Sequence, residues 1–557
     1  MRRLILAVCS VAVLACALGP ATASAAVGPP PDVAPPLVVA TSGNKFPLGF
    51  TITPNRAIAL AKTVKKMQEI HRTHHPLRVV PYVWTLSHYE IYFYYKNKLI
   101  ADQFIGPSGQ IGATYTGPLM LGAYARGGYG QTFDSPWVLI PFTAMFLLPL
   151  LLIRGRRWLD RFDIGVVLTF GVSYALFDTG HLEPAVWSFY PPLIYLLVRM
   201  LIRGARSRAR VGRLECRLPT IVLAVGLLAL IAGRIAVTLI PPNVVDVGTA
   251  SALGAYKILH GQSLYFASIG HPDTYGPLNY LAYVPFELIW PGSWHYLPAA
   301  RAAAITFDLL TIVGLIAIGA RLRPGRDGWR LGLLLAWLWA ACPFTVFGME
   351  KSTNDGLVAL VVVLVLLVLT KPIKRGVLVG IGAAAKFFPA ILLPLVAVGP
   401  GNADQRTVRK VLAAFVITVG ASFAVFMPSG GVKEVWDHTI GYQLTRSDIF
   451  SIWALHPGLA PIKLALEGFA VILAIAVAFR PRGSRSIAQV SALAAAVILA
   501  AQLPAMHWFY MYIPWSMPLV LIAVLGAEAP VEVDAEALDD GDRVDPGEPE
   551  PVLAGTA

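Results

Sequence analysis

From residue 137 onward, the sequence alternates apolar stretches of roughly 15–24 residues with short charged loops. A helix needs about 20 apolar residues to cross the hydrocarbon core of a bilayer, so this pattern favours an all-α polytopic membrane protein. We predict about 13 membrane segments, at 137–153, 164–181, 185–202, 218–240, 298–320, 331–349, 356–370, 376–387, 388–399, 410–428, 461–480, 486–504 and 510–527.

The composition excludes a soluble enzyme. Of the 557 residues, 56% are hydrophobic and only 14% are charged, whereas soluble domains are about 25% charged. The net charge of +13 does not indicate a nucleic-acid partner, because the acidic segment 528–557 holds −9 and the remaining +22 lies mostly in short arginine runs between apolar segments. We predict that residues 528–557 form a disordered cytoplasmic tail.

The loops between the apolar segments fall into two sets that differ in charge. Within 137–527, the basic set holds 24 Lys and Arg and the opposite set holds eight. The basic loops are 154–161, 199–217, 321–330, 371–375, 406–410 and 480–485. The positive-inside rule places this set in the cytoplasm. To keep that alternation, 277–290 must be a juxtamembrane or re-entrant outer helix, and 376–399 must be two half-length helices that meet near Lys386.

The N-terminus is typical of an exported protein. Residues 1–25 resemble a signal peptide, with Arg2 and Arg3 before an apolar stretch and Ala23-Ser24-Ala25 as the cleavage site. A first transmembrane helix is the alternative interpretation. Residues 26–136 then predict a small extracytoplasmic α+β domain, in which a helix after Pro54 precedes several strands. The predicted strands are Tyr82–Leu86, Tyr89–Tyr95, Leu99–Ile105 and Ile111–Tyr115.

This N-terminal domain resembles PepSY-type domains, including its closing sequence GPSGQIGATYTG. Its helix carries His71, His74 and His75 at the spacing of one helical face, which suggests a metal site. No carboxylate or cysteine partner lies on this face, so a solvated helix end is favoured and no metal ligand is assigned.

The loop after residue 240 carries a recognisable pattern. Asp246 follows the segment 218–240, and a helix, a Gly-x-x-Leu-Tyr turn at 261–265 and the sequence Tyr275-Gly-Pro-Leu come next. Together with GVLVGIGAAAKFFPAILLPL at 376–395, these residues resemble the GT-C glycosyltransferases, in particular glycosyltransferase family 87. The resemblance covers a membrane core at 218–527 and leaves 137–217 as additional transmembrane helices.

The resemblance implies transfer of a sugar, mannose or arabinofuranose, from a polyprenyl-phosphate donor. The acceptor would be a hydroxyl of a cell-envelope glycan or glycolipid on the extracytoplasmic face. Membrane lipid would surround the protein. The acceptor oxygen needs a carboxylate to take its proton, and Asp246 suits this role of general base. The phosphate leaving group needs a cation but no proton. A helix cap is the alternative role for Asp246.

Several further residues are candidates for substrate binding. Lys386, in an apolar stretch, and Arg446 are candidates for binding the donor phosphate. The alternatives are that Lys386 snorkels to the outer headgroups and that Arg446 is a surface loop residue. The remaining candidates are His271, Asp273 and Tyr275 for the acceptor or for bracing their loop, and Asn354 and Asp355 as helix caps or as ligands of the donor sugar or a divalent cation.

A secondary transporter and a non-enzymatic envelope scaffold are the alternative interpretations of the whole chain. A secondary transporter also contains broken helices, but the sequence has no repeat between its halves. A non-enzymatic envelope scaffold would leave Asp246, Lys386 and Arg446 without a shared reason to face one side. Arg301 and Asp308, seven residues apart on one predicted helix, are expected to form a structural ion pair. No cofactor is certain, and a divalent cation stays an alternative.

Overall fold

The computed structural model describes residues 38–39, 43–47, 50–84, 88–96, 98–116, 133, 135–154, 158–179, 181–205, 215–240, 244–265, 274–292, 297–401, 403–445 and 450–526. This part of the chain is mostly helical and includes one five-stranded sheet near its N-terminus. The predicted signal peptide and acidic tail lie outside the described residues.

The N-terminal part contains two helices and an antiparallel sheet. The helices are α1 (Pro54–Thr63) and α2 (Lys65–Thr73), and the strands are β1 (Val38–Val39), β2 (Arg78–Trp84), β3 (His88–Tyr95), β4 (Lys98–Ile105) and β5 (Ile111–Thr116), in sheet order β1-β2-β3-β4-β5. Helix α1 begins where the Arg56 N–H donates to the hydroxyl of Thr53. The predicted helix-then-strands order is confirmed, with the helix interrupted at Val64.

Both faces of this sheet are packed, which follows from the alternation along β3. Tyr89 and Phe93 point into the core formed with α1 and α2. On the other face, Glu90 accepts a hydrogen bond from the Tyr92 hydroxyl at 2.9 Å. Asp102 on β4 is also buried there, and desolvation together with the charge of Glu90 raises the pKa of Asp102 to about 9.

The rest of the described chain is built from helices with short breaks. They are α3 (Pro136–Leu152), α4 (Trp158–Gly165), α5 (Phe170–Asp178), α6 (Leu182–Ala205), α7 (Thr220–Leu239), α8 (Asp246–Leu259), α9 (Pro277–Ile289), α10 (Pro298–Leu322), α11 (Gly325–Ala341), α12 (Pro343–Glu350), α13 (Asp355–Leu367), α14 (Pro372–Lys386), α15 (Leu393–Val398), α16 (Gln405–Val425), α17 (Gly431–Trp436), α18 (Tyr442–Thr445), α19 (Ile452–Leu455), α20 (Ala460–Phe479), α21 (Ile487–Gln502) and α22 (Ile513–Leu525). Short β6 (Ile153–Arg154) pairs with β7 (Glu215–Cys216).

Five of these helices have the length and apolar composition needed to cross a bilayer. They are α6 (Leu182–Ala205), α7 (Thr220–Leu239), α10 (Pro298–Leu322), α16 (Gln405–Val425), and α20 together with the 3₁₀ turn before it (Pro457–Phe479). Helices α11 and α12 would add a sixth span if they count together, since they meet at an angle of 62°. Five shorter apolar helices of 10–17 residues accompany them, so about 13 spans remains a prediction.

Each predicted membrane segment coincides with helical structure, with two refinements. The predicted continuous segment 331–349 is bent, because Pro343 cannot donate a backbone hydrogen bond and α11 ends at Ala341. The predicted break in 376–399 is confirmed: α14 ends at Lys386, and Phe387 has a φ of +54°. A helix at 277–289 is also confirmed, although the structure does not test its depth in a membrane.

The predicted ion pair of Arg301 with Asp308 is wrong. Asp308 pairs with Arg234 of α7 at 2.5 Å and also accepts a hydrogen bond from the Trp339 indole at 2.8 Å. Arg301 instead donates to the carbonyls of Thr238 and Leu239 at the end of α7. Seven-residue spacing places two side chains on one face, but it does not show which neighbouring helix covers that face.

Candidate functional site

Lys386, the last residue of α14, lies in a partly buried polar cluster. Its ammonium donates to Oδ1 of Asn354 at 2.7 Å and to Oδ1 of Asp355 at 2.5 Å. The side chains of Lys386 and Asp355 are only 11% and 3% exposed. Lys386 is therefore neither a snorkelling residue nor an isolated cation, because a carboxylate holds it in place. An ammonium has three N–H groups, and these two bonds use two of them.

Three aromatic rings surround the Lys386 ammonium. Its Nζ lies 5.5 Å from the ring centre of Tyr275, 5.9 Å from that of Tyr512 and 5.4 Å from that of Trp515. Aromatic faces attract a cation at these distances. Trp515 also donates its indole N–H to Asp355 at 2.8 Å. The rings and the carboxylate thus fix the position of the ammonium from several sides.

Asn354 connects this cluster to two other helices. Its side-chain amide donates to Oδ1 of Asn279 on α9 at 3.0 Å, and Asn279 donates to the hydroxyl of Ser251 on α8 at 2.9 Å. The first interpretation of Asn354 as a side-chain cap is wrong: it occupies the N-cap position of α13 but makes no capping hydrogen bond. Its side chain points into the cluster instead, where its oxygen accepts from Lys386.

Tyr275 reaches the cluster through backbone contacts. The N–H of Gly276 donates to the carbonyl of Ala385 at 3.0 Å, which fixes this turn beside the end of α14. The Tyr275 carbonyl accepts a hydrogen bond from the Tyr265 hydroxyl at 3.0 Å. The Tyr-Gly-Pro-Leu turn and Lys386, 111 positions apart in sequence, are therefore adjacent in the fold.

Asp246 is the first residue of α8 and is exposed to solvent. The N–H of Val245 donates to the carbonyl of Lys351 at 3.1 Å, so α8 begins against the segment that leads into Asn354. A side chain at position 248 would overlap the carbonyl of Ser352, which explains the glycine there. The Asp246 carboxylate accepts from the N–H of Val247 at 2.8 Å, a local bond that a helix-start role also accounts for.

Helices α13 and α22 have one end at the arginine-rich loop 321–330 and the other end at the cluster. Arg321 donates to the carbonyl of Leu367, the last residue of α13, and Arg323 to that of Leu525, the last residue of α22, at 3.2 Å. Asp355 and Trp515 stand at the opposite ends of the same two helices. At about 1.5 Å per residue, nearly 20 Å separates the cluster from the arginines.

The structure thus brings together four predicted site residues, Tyr275, Asn354, Asp355 and Lys386, and places the α8 segment that begins with Asp246 against the same loop. The other three, His271, Asp273 and Arg446, lie outside the described residues. Within the described part of the chain, no group of three or more His, Cys, Asp or Glu side chains could hold a metal ion.

Four further members of the cluster were not among the predicted site residues. These are Ser251, Asn279, Tyr512 and Trp515. The signal available was the aromatic run HWFYMYIPW at 507–515, in which His507 also faces Tyr512 with 5.9 Å between ring centres. Aromatic runs at the start of an apolar segment are also typical of a membrane interface, so the run alone does not indicate a site.

Comparisons with known proteins bear on the same part of the chain. The model of glycosyltransferase family 87 matches residues 274–506. That range includes Tyr275, Asn354, Asp355 and Lys386 and begins after Asp246.

A polyprenol-phosphate-mannose-dependent alpha-(1-2)-phosphatidylinositol mannoside mannosyltransferase of Mycobacterium tuberculosis is 29% identical over 216 residues. The match covers 36% of this chain and 47% of the relative, so the chain spans about half the length of that protein. No solved structure matches the chain. Both matches are to glycosyltransferases, and the relative is named for a polyprenol-phosphate-mannose donor.

Proposed function

We propose that this protein transfers mannose from a polyprenyl-phosphate donor to a hydroxyl of a cell-envelope glycolipid or glycan outside the cytoplasm. The relative is named for a polyprenol-phosphate-mannose donor and a phosphatidylinositol mannoside acceptor, which supports both choices. The polar cluster at the ends of α13, α14 and α22 supports a site where a charged headgroup and an apolar lipid chain meet.

The general base of the proposed reaction is Asp246. The observation that carries this assignment is its placement: an exposed carboxylate on the first turn of α8, whose backbone is bonded to the segment that holds Asn354 and Asp355. An exposed carboxylate can reach an acceptor hydroxyl from the aqueous side and accept its proton as the new glycosidic bond forms.

The donor phosphate is proposed to bind at Lys386. Two N–H groups of the ammonium bond to Asn354 and Asp355, and the third is the one that would donate to a phosphate oxygen. The Lys386–Asp355 pair is neutral as a unit, so a second cation should assist, and Arg446 remains the candidate for it. A held cation aimed at the leaving oxygen stabilises charge as it develops there.

The proposed orientation follows from the two ends of the helix bundle. The basic loops mark the cytoplasmic side by the positive-inside rule. Helices α13 and α22 extend from the arginines at 321 and 323 to the cluster. With the arginines in the cytoplasm, the cluster would lie on the extracytoplasmic side. Residues 26–136 would then lie outside the cytoplasm with the site, and the acidic tail would lie inside.

The test is turnover by purified protein in proteoliposomes that contain polyprenyl-phosphate [¹⁴C]mannose and a phosphatidylinositol mannoside acceptor. Asp246→Asn keeps the size of the side chain but cannot accept the proton, so turnover should fall by roughly 10²–10⁴-fold. Asp327→Asn is the matched control. Asp327 is also an exposed acid in the first turn of a helix, α11, but that turn lies next to the arginines and not at the cluster.

Loss of turnover in Asp246→Asn alone, with thermal stability equal to wild type, supports the assignment. Turnover near the wild-type level would show that Asp246 only accepts the hydrogen bond of the Val247 N–H at the start of α8, a bond that Asn can also accept. Absence of mannosyl transfer by the wild-type protein with this donor would refute the proposed donor.

A further inference from the structure

Helices α5 and α6 lie outside the range that the family match covers, yet they enclose the segment that carries the aromatic part of the site. The Ser173 hydroxyl on α5 lies 2.7 Å from the Tyr510 hydroxyl and 2.7 Å from the carbonyl of Ala185 on α6. Ser173 and Tyr510 are both completely buried. Phe189 on α6 stacks on Trp508, with ring centres 4.2 Å apart and planes 16° apart.

The directions of these hydrogen bonds follow from the available protons. A carbonyl only accepts, so the single proton of the Ser173 hydroxyl goes to Ala185. Ser173 Oγ therefore accepts a hydrogen bond from the Tyr510 hydroxyl. Removing the Ser173 hydroxyl would leave the buried Tyr510 hydroxyl without this acceptor, which is unfavourable in an apolar surrounding.

A continuous set of contacts leads from this packing to the Lys386 cluster. Trp508 donates its indole N–H to the side-chain oxygen of Gln502 at 3.2 Å, and the Gln502 amide donates to the carbonyl of Tyr512 at 3.2 Å. The rings of Tyr512 and Trp515 stack at 4.3 Å. Trp515 then donates to Asp355, the partner of Lys386.

We infer that Ser173 and Phe189 are positioning residues, which hold Tyr512 and Trp515 around Lys386 from helices that are additional to the glycosyltransferase core. The role in catalysis rests on the proposed function, whereas the role in fixing the aromatic rings does not. Segment 503–512 follows α21 with little regular structure of its own, and α5 and α6 are among its described partners, together with α12 and Phe450. A displacement near 1 Å at a substrate site can lower a rate by about a hundredfold.

The first test reads the Trp515 ring without any turnover. The protein is labelled with 5-fluorotryptophan, and the fluorine resonance of Trp515 is assigned from its loss in Trp515→Phe. Ser173→Ala should shift or broaden the Trp515 resonance. Ser491→Ala is the matched control: its buried hydroxyl on α21 donates to the carbonyl of Ile487, in its own helix.

A second variant guards against misfolding of the first. Tyr510→Phe removes the other hydroxyl of the pair and should move the Trp515 resonance in the same way, and the double variant should move it little further. A Trp515 resonance that stays unchanged in both Ser173→Ala and Tyr510→Phe, or that moves equally in Ser491→Ala, would overturn the inference.

The second test separates positioning from stability. Ser173→Ala should raise the donor KM by between about ten- and a hundredfold. The same change in a Lys386→Met background should have no further effect on the KM, because the ammonium that the rings hold is gone. Equal effects in both backgrounds would mean that Ser173 supports only general stability. If Lys386→Met itself leaves the donor KM unchanged, the proposed phosphate site fails, and the fluorine result still decides the positioning of the rings.

Discussion

Replacing Asp355 by Asn should destabilise the protein, because it leaves the Lys386 ammonium without its counter-charge. The two side chains are 3% and 11% exposed, and 2.5 Å separates Nζ from Oδ1. Asn has nearly the same shape and can still accept the indole N–H of Trp515, so the change isolates the charge. Removal of one partner from a buried ion pair costs about 3–5 kcal/mol.

The lower end of that range is expected here. Lys386 keeps some contact with solvent and a second acceptor in Asn354, which both reduce the cost. We expect a loss of about 3 kcal/mol in the free energy of unfolding, which corresponds to more than a hundredfold in the unfolding equilibrium. The measurement is reversible unfolding in mixed micelles by titration with sodium dodecyl sulfate, followed by near-ultraviolet circular dichroism.

A double-mutant cycle makes the prediction specific. Asp355→Asn with Lys386→Met removes both charges, so the double variant should be more stable than the sum of the two single effects predicts. Lys463→Met is the matched control, because Lys463 pairs with Glu467 at 2.7 Å on one helix with both side chains partly exposed. That pair should contribute less than about 1 kcal/mol. Wild-type stability of Asp355→Asn, or additive single effects, would refute a buried pair at this site.

The buried acid of the sheet, a second buried ion pair and the charge of the loops each give a further prediction. Because burial and Glu90 raise the pKa of Asp102 to about 9, this carboxyl binds its proton more tightly in the folded sheet than in the unfolded chain. The stability of the sheet should therefore fall as the pH rises from 4 to 9, by up to about 1.4 kcal/mol per pH unit. Asp102→Asn should flatten that dependence in hydrogen exchange of β3 and β4, and an unchanged slope would contradict the burial of an acid there. Arg234→Met should cost about 3–5 kcal/mol by leaving Asp308 unpaired, a loss that Asp308→Leu should partly reverse in the same unfolding titration. In a cysteine-free background, Val432→Cys should react with an impermeant thiol reagent in intact cells and Arg326→Cys should not, and the opposite labelling would invert the proposed orientation.

Much of the helical architecture follows from apolar run lengths, because the bilayer demands them and each predicted segment coincides with helix. The end of α14 at Lys386 was also predictable, since a continuous span through 376–399 would have reversed the charge of every later loop. The bend at Pro343 was missed, because Cys342 and its neighbours are apolar and the segment has the length of one span.

The sequence predicted individual site residues better than it predicted which of them contact each other. Lys386 stood out as a charged residue in an apolar stretch, and Asn354 and Asp355 stood out at a helix start. Their mutual bonds join α13 to α14, and no spacing rule covers such pairs. The same limit produced the wrong partner for Asp308, because a sequence shows which residues share a helix face and not which helix packs against it.

The shortness of α13 and α22 has a consequence for how substrates arrive. Each has 13 residues and is therefore about 20 Å long, whereas the hydrocarbon layer is about 30 Å thick. If their arginine-held ends lie at one boundary of this layer, the Lys386 cluster is recessed by roughly 10 Å beneath the other. A lipid headgroup must then descend below the plane of its neighbours to reach Lys386, and the bilayer must thin, or water must enter, at that one place.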